Sequence, residues 1–497
     1  MLFDTISKTF ECEVDRTPRV NLVFDAFGLN IDTHRHEVVK DIVLPAKWDI
    51  IYITGISGSG KTTLLNELAK LNDFDIKKHS HRKFHLINIK NDKPIIENIG
   101  KTFEEALMFL NSVGLSEAFV YIKRYRELSE GQKYRYYLAK LLELPDKIVY
   151  VDEFVSVLDR VTAKIVAYNY QRIIRKRKKR LIVATSHTDL LEELRPSTVI
   201  DFMYSGEHKM SSIDFAKDLK PPMLDQIQMS RITQRDDLSL LKYHYKNVKL
   251  PAMVSDIFAF TYHGHTVGLV VVSVPIRTMM LDKFYITPKE LKLFNSLTVN
   301  ERRLVSGSNV VIISRVVTHP TFRGIGLASN MLKSCIPLIN KRVVVISSVM
   351  SNYVGFCESA GMTHIEPKSD LKFTKLTRFF EERKIDAQRI YYDTEYRRSV
   401  IEDIRSNKKL FGEFIGLLET YIKKYFSALD DRGEEEVRKL TSMKFIEKYL
   451  LKLRPMNVKT YYKENKHIPI DFISIAKFRS KLITKQIGLE RKHLSKN

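Results

Sequence analysis

Up to about residue 215 the chain is punctuated by short runs of Ile, Val and Tyr, each closed by a polar turn. DIIYITG (49–55), KIVYVDE (147–153) and RLIVATS (180–186) are the clearest. Such runs, apolar throughout, predict buried strands of an α/β sheet with helical stretches between them. AKDLKPP (216–222) is a charged, proline-ending linker candidate. Beyond it, to about 370, the rhythm changes. DDLSLLKYHY (236–245) has a helical pattern, and IFAFTY-HGH-TVGLVVVSV (257–274) predicts a β-hairpin. NVVIISRVV (309–317) predicts a strand, GIGLASNMLKSCIPLI (324–339) a helix, and RVVVISSVM (342–350) another strand. From 371 to 497 the pattern is mainly helical, as in LFGEFIGLLETYIKKYF (410–426). No internal repeat or low-complexity stretch interrupts this order.

The 497 residues suggest about three domains, read as 1–215, 223–370 and 371–497. A 44% hydrophobic and 10% aromatic composition excludes whole-chain disorder. Cys12, Cys335 and Cys357 are too few for a disulfide scaffold, so a reduced, cytoplasmic setting is expected. The N-terminus lacks the pattern of a secretory signal. No apolar run reaches about 18 residues, so no membrane span is expected.

Charge changes the picture more. Lys and Arg number 82 against 59 Asp and Glu, a net charge of +23. Residues 371–497 hold 30 basic and 18 acidic residues, a surplus of 12, about half of the total. An acidic partner follows, nucleic acid first and an anionic membrane surface second. A basic soluble enzyme is the bland alternative.

The first candidate site is Gly55-Ile56-Ser57-Gly58-Ser59-Gly60-Lys61-Thr62. It fits G-x-x-x-x-G-K-[ST] between a predicted strand and a predicted helix, the phosphate-cradling P-loop. Its glycines let successive amides face a phosphate. Lys61 would reach the β/γ-phosphates and the Thr62 hydroxyl would ligate Mg²⁺. Leu128-Ser129-Glu130-Gly131-Gln132 resembles the signature of ABC-type ATPases, and IVYV-Asp152-Glu153 their Walker B strand. Ser156-Val157-Leu158-Asp159 resembles the D-loop and His187 the switch histidine. The resemblance implies Asp152 on Mg²⁺ and Glu153 polarising the attacking water. It implies nucleotide contacts from Gly55, Ser57, Gly58, Gly60, Lys61, Thr62 and Thr63. Ser129, Gly131 and Asp159 would complete the site of a second copy, in a head-to-tail homodimer. The Q-loop glutamine is missing from PIIENIG (94–100), where Glu97 is the candidate substitute. Phe27 is either an adenine-stacking ring or an ordinary core side chain.

The wording of 114–142, GLSEAFVYIKRYRELSEGQKYRYYLAKLL, resembles soluble prokaryotic and phage ABC ATPases fused to a predicted acetyltransferase. Residues 316–328, VVTHPTFRGIGLA, resemble the GNAT acetyltransferase core [QR]-x-x-G-x-[GA] through Arg323, Gly326 and Ala328. The motif lies between a predicted strand and helix, where amides at a helix start can surround a diphosphate. SNYVGFCESAGM (351–362) resembles the GNAT helix that follows the next strand. The resemblance implies acetyl-CoA, or another acyl-CoA, held at Val317, Arg323, Gly324, Gly326, Ala328 and Asn352. The usual tyrosine acid is replaced by Cys357, and Tyr353 is the alternative donor. His319, Ser314, His263 and His265 are candidate bases.

Arg175-Lys176-Arg177-Lys178-Lys179-Arg180 is a run of six cations, expected to be exposed as a solvated turn or a phosphate-binding ridge. RIYYDTEYRRS (389–399) and KTYYKENKH (459–467) interleave aromatics with cations, a texture that suits either base stacking or, for tyrosines at helical spacing, the core. The expected whole is an α/β P-loop ABC-type ATPase, an α+β GNAT domain with a mixed sheet, and a basic, mainly helical C-terminal region. Its expected work is ATP-assisted N-acylation of a nucleic-acid base, with DNA slightly favoured over RNA. The alternatives are a nucleotide-gated protein N-acetyltransferase and a nucleic-acid-binding ABC ATPase with a non-catalytic GNAT fold.

Overall fold

The computed structural model describes residues 5–29, 33–76, 92–203, 207–215, 220–244, 250–251, 253–275, 279–284, 286–365, 371–386, 389–390, 393–426, 442–452 and 459–472. They fall into two units. One comprises Met1–Leu281, Lys289–Arg342 and Asn465–Asn497; the other comprises Asp282–Pro288 and Val343–Glu464. The expected boundaries differ from these. Residues 223–281 and 289–342 belong with the N-terminal part, and the stretch expected as 223–370 is divided. Most of the expected linker, 216–219, lies outside the described residues.

In the first unit, strands β1 (Ile6–Glu13) and β2 (Thr33–Ile42) pair antiparallel, with helix α1 (Pro18–Phe27) between them in sequence. The main sheet begins with β3 (Ile50–Gly55), followed by α2 (Lys61–Lys70), α3 (Phe103–Ser112), α4 (Ala118–Tyr121) and α5 (Glu130–Leu141). Then come β4 (Ile148–Val151), α6 (Arg160–Lys176), β5 (Arg180–Ala184), α7 (Leu191–Leu194), β6 (Thr198–Phe202) and β7 (His208–Ser212). Sheet order is β4-β5-β3-β6-β7, parallel except for β7. Successive side chains point to opposite faces, which explains why the strands are apolar throughout. Ile51, Ile53, Ile182 and Ile200 pack on one face with Leu64 and Leu68 of α2. Ile50, Tyr52, Val149 and Val183 pack on the other with Phe109, Leu138 and Tyr170 from α3, α5 and α6.

The same unit carries an antiparallel sheet of β8 (Gln228–Ile232), β9 (Val254–Tyr262), β10 (His265–Ser273) and β11 (Val310–Thr318). The expected hairpin is β9–β10. Its two-residue turn, His263-Gly264, has positive φ at both positions (46° and 79°), as a tight hairpin requires. The helical pattern of 236–245 gives only a short 3₁₀ turn, Ser239–Tyr243, with Leu240 and Leu241 buried on the sheet; Tyr245 lies outside the described residues. Opposite Val271 and Val272, β11 carries an extra residue, Ser314, a bulge. Helices α8 (Pro288–Asn295) and α9 (Val299–Asn309) precede β11, and α10 (Leu327–Cys335) follows it.

The second unit holds β12 (Val343–Ser348), α11 (Phe356–Ser359), β13 (Thr363–Ile365), α12 (Leu371–Glu381), α13 (Thr394–Ser406), α14 (Lys408–Phe426), α15 (Met443–Lys452) and β14 (Lys459–Glu464). β14 pairs antiparallel with both β12 and β13. The helices between β13 and β14, with a core of Phe379, Phe380, Ile401, Phe414, Leu418 and Ile446, are therefore an insertion between paired strands. KTYYKE, expected in a helical region as stacking surface or core, is strand β14. Tyr461 is fully buried and its hydroxyl donates to Glu358, so that ring is core. In 389–399, Arg397 is buried and donates to the Ile390 carbonyl (2.9 Å), while the Arg389 guanidinium pairs with Asp393 and lies over Tyr396. Tyr391 and Tyr392 lie outside the described residues.

The six-cation run is not a free ridge. Arg175 is bonded to Asp49 (2.7 Å) and to the Arg195 carbonyl. Arg177 pairs with Glu105 (2.9 Å) and covers the Phe109 ring, and Lys179 donates to the Leu144 carbonyl. Arg180 lies over Trp48, its guanidinium 4.4 Å from the ring centre. Lys176 and Lys178 are the fully exposed members. Mutual repulsion is relieved because each remaining cation finds its own anion, carbonyl or ring, and Arg175 and Lys176 also end a helix whose C-terminus favours positive charge. Among the described residues no helix is long and apolar enough to cross a membrane.

Candidate active site

The P-loop runs from the end of β3 into α2. Gly55 has φ 128°, and a Cβ there would lie 2.4 Å from the Phe202 carbonyl oxygen. Gly60 has φ 98°, and its Cβ would meet Val38 at 2.6 Å. Both positions therefore need glycine for conformation and for space. Gly58 (φ 80°) needs it for conformation alone. Ser57 is exposed on the loop, and Ser59 closes the turn by donating to Ile56 (2.8 Å). Gly60 caps α2 in a left-handed conformation with no side-chain cap, so the first helix amides, including those of Thr62 and Thr63, are left to a ligand.

Lys61 is buried and donates to the Ile56 carbonyl within the loop. Burial lowers its pKa, against the opposing charges of Glu153 and Asp152. Thr62 donates to Asp152 Oδ1 (3.0 Å), so the two expected Mg²⁺ ligands are side by side. Burial raises the Asp152 carboxyl above its ordinary pKa, although bonds from Thr62 and from the Glu153 amide oppose the rise. Glu153 is exposed, with φ 51°. The Tyr52 and Thr54 hydroxyls both donate to the His187 carbonyl, the latter at 3.1 Å. This fixes the backbone of His187, while its Nε2 is buried with no hydrogen-bond partner among the described residues. An unpartnered buried imidazole nitrogen, a helix start without a cap and a buried ammonium are the features a triphosphate satisfies. These residues fit ATP with Mg²⁺.

Ser129 caps α5 with a reciprocal Gln132 box (3.3 and 3.1 Å) and is exposed, and a Cβ on Gly131 would lie 3.8 Å from Leu158 of the D-loop. Asp159 caps α6 through Thr162 (3.0 Å). Burial would raise its carboxyl, but the helix-start hydrogen bonds outweigh that and hold it low. Glu97 is exposed, while Asn98 folds back onto the carbonyls of Lys93 and Pro94. Phe27 is 76% exposed at the end of α1, so it is not a core side chain.

Sequence reasoning missed Tyr134 on α5. Its hydroxyl bonds the turn that follows Asp152, donating to the Glu153 carbonyl (3.0 Å) and accepting from the Val155 amide (2.8 Å). The available signal was the buried run Tyr134, Tyr136 and Tyr137, since a buried tyrosine hydroxyl needs a partner.

Around Arg323 the structure departs further from expectation. The turn joins β11 to α10, as the motif requires, and Gly326 (φ 86°) caps α10 without a side-chain bond. Arg323 itself points inward: its guanidinium donates to the carbonyls of Thr318 (3.3 Å) and Ser116. Ser116 in turn donates to the Pro320 carbonyl (3.2 Å). From α6, Asn169 donates to the Arg323 carbonyl and Arg172 to the Gly324 carbonyl, each at 3.1 Å. A Cβ on Gly324 would strike Asn169 at 2.5 Å. Arg323 is therefore a clasp residue rather than a free phosphate ligand. Gly324 and Gly326 remain exposed, Ala328 is half-buried in the first turn of α10, and Val317 is buried in β11.

Of the candidate bases, Ser314 shares hydrogen bonds with Ser273 (2.8 Å) and the Val271 carbonyl (3.1 Å). His319 packs between Tyr243 and Phe322, and burial lowers its pKa. His263 and His265 are exposed at the hairpin. In the second unit, Asn352 donates to the Val349 carbonyl (2.9 Å) and Tyr353 is 41% exposed. Cys357 is fully buried beside Ser351 (3.5 Å), and burial pushes its thiol up to about 11. A side chain so enclosed fits a structural core cysteine, the alternative to its reading as an acid.

The glycine loop, buried lysine, Thr62–Asp152 pair and His187 define the class: a P-loop ATPase. A family profile for ABC transporters matches residues 46–156. The phosphonates import ATP-binding protein PhnC of Lactococcus lactis subsp. cremoris is 30% identical over 186 residues, 29% of this chain and 74% of that protein. The methionine import ATP-binding protein MetN of Clostridium tetani is 29% identical over 192 residues, 32% of this chain; the chain spans 59% of that relative's length. The dimeric structure of MJ0796, a bacterial ABC transporter cassette, covers 37% of this chain and 94% of its own at 19% identity and a TM-score of 0.29. The chain belongs to the ABC family through its N-terminal part and is an ATP-binding ABC ATPase.

Proposed function

We propose that the ABC ATPase works as a nucleotide-driven switch for an acyl-CoA-dependent N-acyltransferase in the same chain. The observation that carries this is the clasp. Ser116, Asn169 and Arg172, all from the ATPase part, hold the carbonyls and guanidinium of the turn expected to cradle the CoA diphosphate. Transfer of an acyl group from a thioester needs no ATP, so hydrolysis must perform another task. A rearrangement of α6, which begins at the Asp159 cap, would move that turn directly. The exposed amide side at Gly324 and Gly326, with Ala328 and the β11 backbone at Val317, supports a diphosphate site.

Lys61 and the amides of the P-loop would bind the triphosphate, and Thr62 and Asp152 would hold Mg²⁺, which would neutralise phosphate charge. Glu153 orients and polarises water. Ser129 and Gly131 of a second copy complete the site in a head-to-tail homodimer. The acyl acceptor is an amine, and the charge of +23 favours one on a polyanion: a nucleic-acid base, DNA before RNA. The inward Arg323 and the enclosed Cys357 favour a second reading, an ABC ATPase with a GNAT-like fold that no longer catalyses. The transport roles named for the relatives would need a separate membrane subunit.

The test is calorimetric titration of CoA into Glu153→Gln protein with and without ATP. Saturable binding that changes with ATP and is lost in Gly326→Trp is expected. Absence of CoA binding in both nucleotide states overturns the transferase reading. Nucleoside mass spectrometry of cells making the protein, with and without Lys61→Ala, identifies a modified base.

A further inference from the structure

The turn after Asp152 is held in an uncommon backbone shape. Glu153 and Val155 both have positive φ, 51° and 54°, which L side chains rarely adopt without support. The support comes from two sides. The Phe154 amide donates to the Ala184 carbonyl at the end of β5 (2.9 Å), and Tyr134 grips both left-handed residues with one hydroxyl. Val155 is fully buried, so its amide depends on that oxygen. The Glu153 carbonyl also accepts from the Ser156 amide (3.1 Å), which begins the D-loop.

The left-handed backbone at Glu153 sets the direction in which its side chain leaves the chain. Its carboxylate is near enough to the Lys61 ammonium to oppose the loss of that charge on burial. From this geometry we infer that Tyr134 is a positioning residue for ATP hydrolysis: it holds Glu153 in the left-handed shape that presents its carboxylate to the phosphate cradle, and it links that shape to the helix begun by Ser129. The inference rests on Glu153 acting on water. Burial raises the phenol well above its ordinary pKa, so the hydroxyl remains a neutral donor across the working range. Asp152 keeps its own bond to Thr62, so loss of the hydroxyl would disturb the water-polarising group and leave the Mg²⁺ pair in place.

The test is steady-state ATP hydrolysis by the full chain carrying Tyr134→Phe, which keeps the ring and removes the grip. The expected result is a fall in kcat of about tenfold or more, with KM for ATP within about twofold of the parent. Tyr134→Phe combined with Glu153→Gln should be no slower than Glu153→Gln alone, because both changes act through one carboxylate. A kcat within twofold of the parent, where Glu153→Gln alone lowers turnover about 100-fold or more, overturns the inference while leaving Glu153 in its role. A KM that rises as far as kcat falls also overturns it. Unchanged hydrolysis in Glu153→Gln overturns the role of Glu153 itself. Amide exchange at Val155 in the unaltered chain needs no variant: protection is expected, and exchange at the solvent rate overturns the grip.

Discussion

The chain uses one local device twice, and the two uses differ in what surrounds them. At Gly60 and at Gly326 a strand ends, a left-handed glycine caps the next helix without a side-chain bond, and the first helix amides are left open. At Gly60 the neighbouring chain presses close, and a Cβ would overlap Val38; at Gly326 a Cβ would meet nothing within 4 Å among the described residues. The first turn is enclosed by its own domain, with Thr62 already bonded to Asp152 and Lys61 buried against the Ile56 carbonyl. The second is held by α6 through the Arg323 and Gly324 carbonyls, with Gly324 and Gly326 exposed among the described residues. A helix start by itself defines little. The tightness of its frame and the groups gathered on it separate the P-loop from the turn at Gly326.

The sharpest separation of the two is by loss of turnover. Lys61→Ala and Glu153→Gln should each lower phosphate release by about 10²–10⁴-fold, while Glu153→Gln keeps ATP binding. Phosphate release together with labelled-ATP retention checks this. A loss under tenfold in both variants would remove the P-loop from the chemistry.

Next in size is a matched pair of glycine substitutions. Gly60→Ala adds a methyl group where 2.6 Å is available, at φ 98°; it should cost more than the 1–3 kcal/mol or so of backbone strain alone and weaken ATP binding about tenfold or more. Gly326→Ala has room and carries only the strain, about 1–3 kcal/mol, with ATP hydrolysis within twofold of the parent. Thermal unfolding and nucleotide titration read both. Equal effects on ATP binding would erase the distinction between the turns.

What was legible in the sequence follows the same division. Phosphate chemistry prescribes residue types at short spacing, so Gly55 through Thr62 and the Ser129 signature could be read directly. The clasp could not be. It joins residues 116, 169 and 172 to 320–324 through backbone carbonyls, which every residue possesses and no motif records. The cation run misled for a related reason: like charges adjacent in sequence were expected to seek water, but Asp49 and Glu105 reach Arg175 and Arg177 from distant segments. Tyr461 follows the core alternative, in a strand rather than a helix, since tyrosine flanked by lysines suits a stacking surface and a strand of period two equally well.

The clasp itself can be loosened. Asn169→Ala removes one hydrogen bond to the Arg323 carbonyl and a contact behind Gly324, a loss of about 1–2 kcal/mol. It should raise amide exchange across 320–328 and leave nucleotide affinity unchanged. If exchange there is unaltered in the variant and unaltered by ATP in the parent, α6 does not govern the turn, and the two glycine sites are independent.

The smallest effect tests the cost of keeping the first site ready. Burial raises the Asp152 pKa, so the folded protein binds that proton more tightly than the unfolded chain does. Between the ordinary carboxylate pKa, about 3.9, and the raised folded value, stability falls as pH rises. At neutral pH the whole penalty is present. Asp152→Asn removes it while retaining an oxygen for the Thr62 hydroxyl. Without nucleotide, the variant should melt roughly 1–3 °C above the parent at pH 7. The gain is limited because Lys61 loses one of the two acidic neighbours that oppose its own burial. The difference should close as pH falls below the carboxylate range, where Asp152 is neutral in both states, and ATP hydrolysis should be lost throughout. A variant less stable than its parent at pH 7 would mean that the Asp152 charge stabilises the empty loop, and the enclosed frame of the first turn would then be an electrostatic product rather than a burden its packing has to carry.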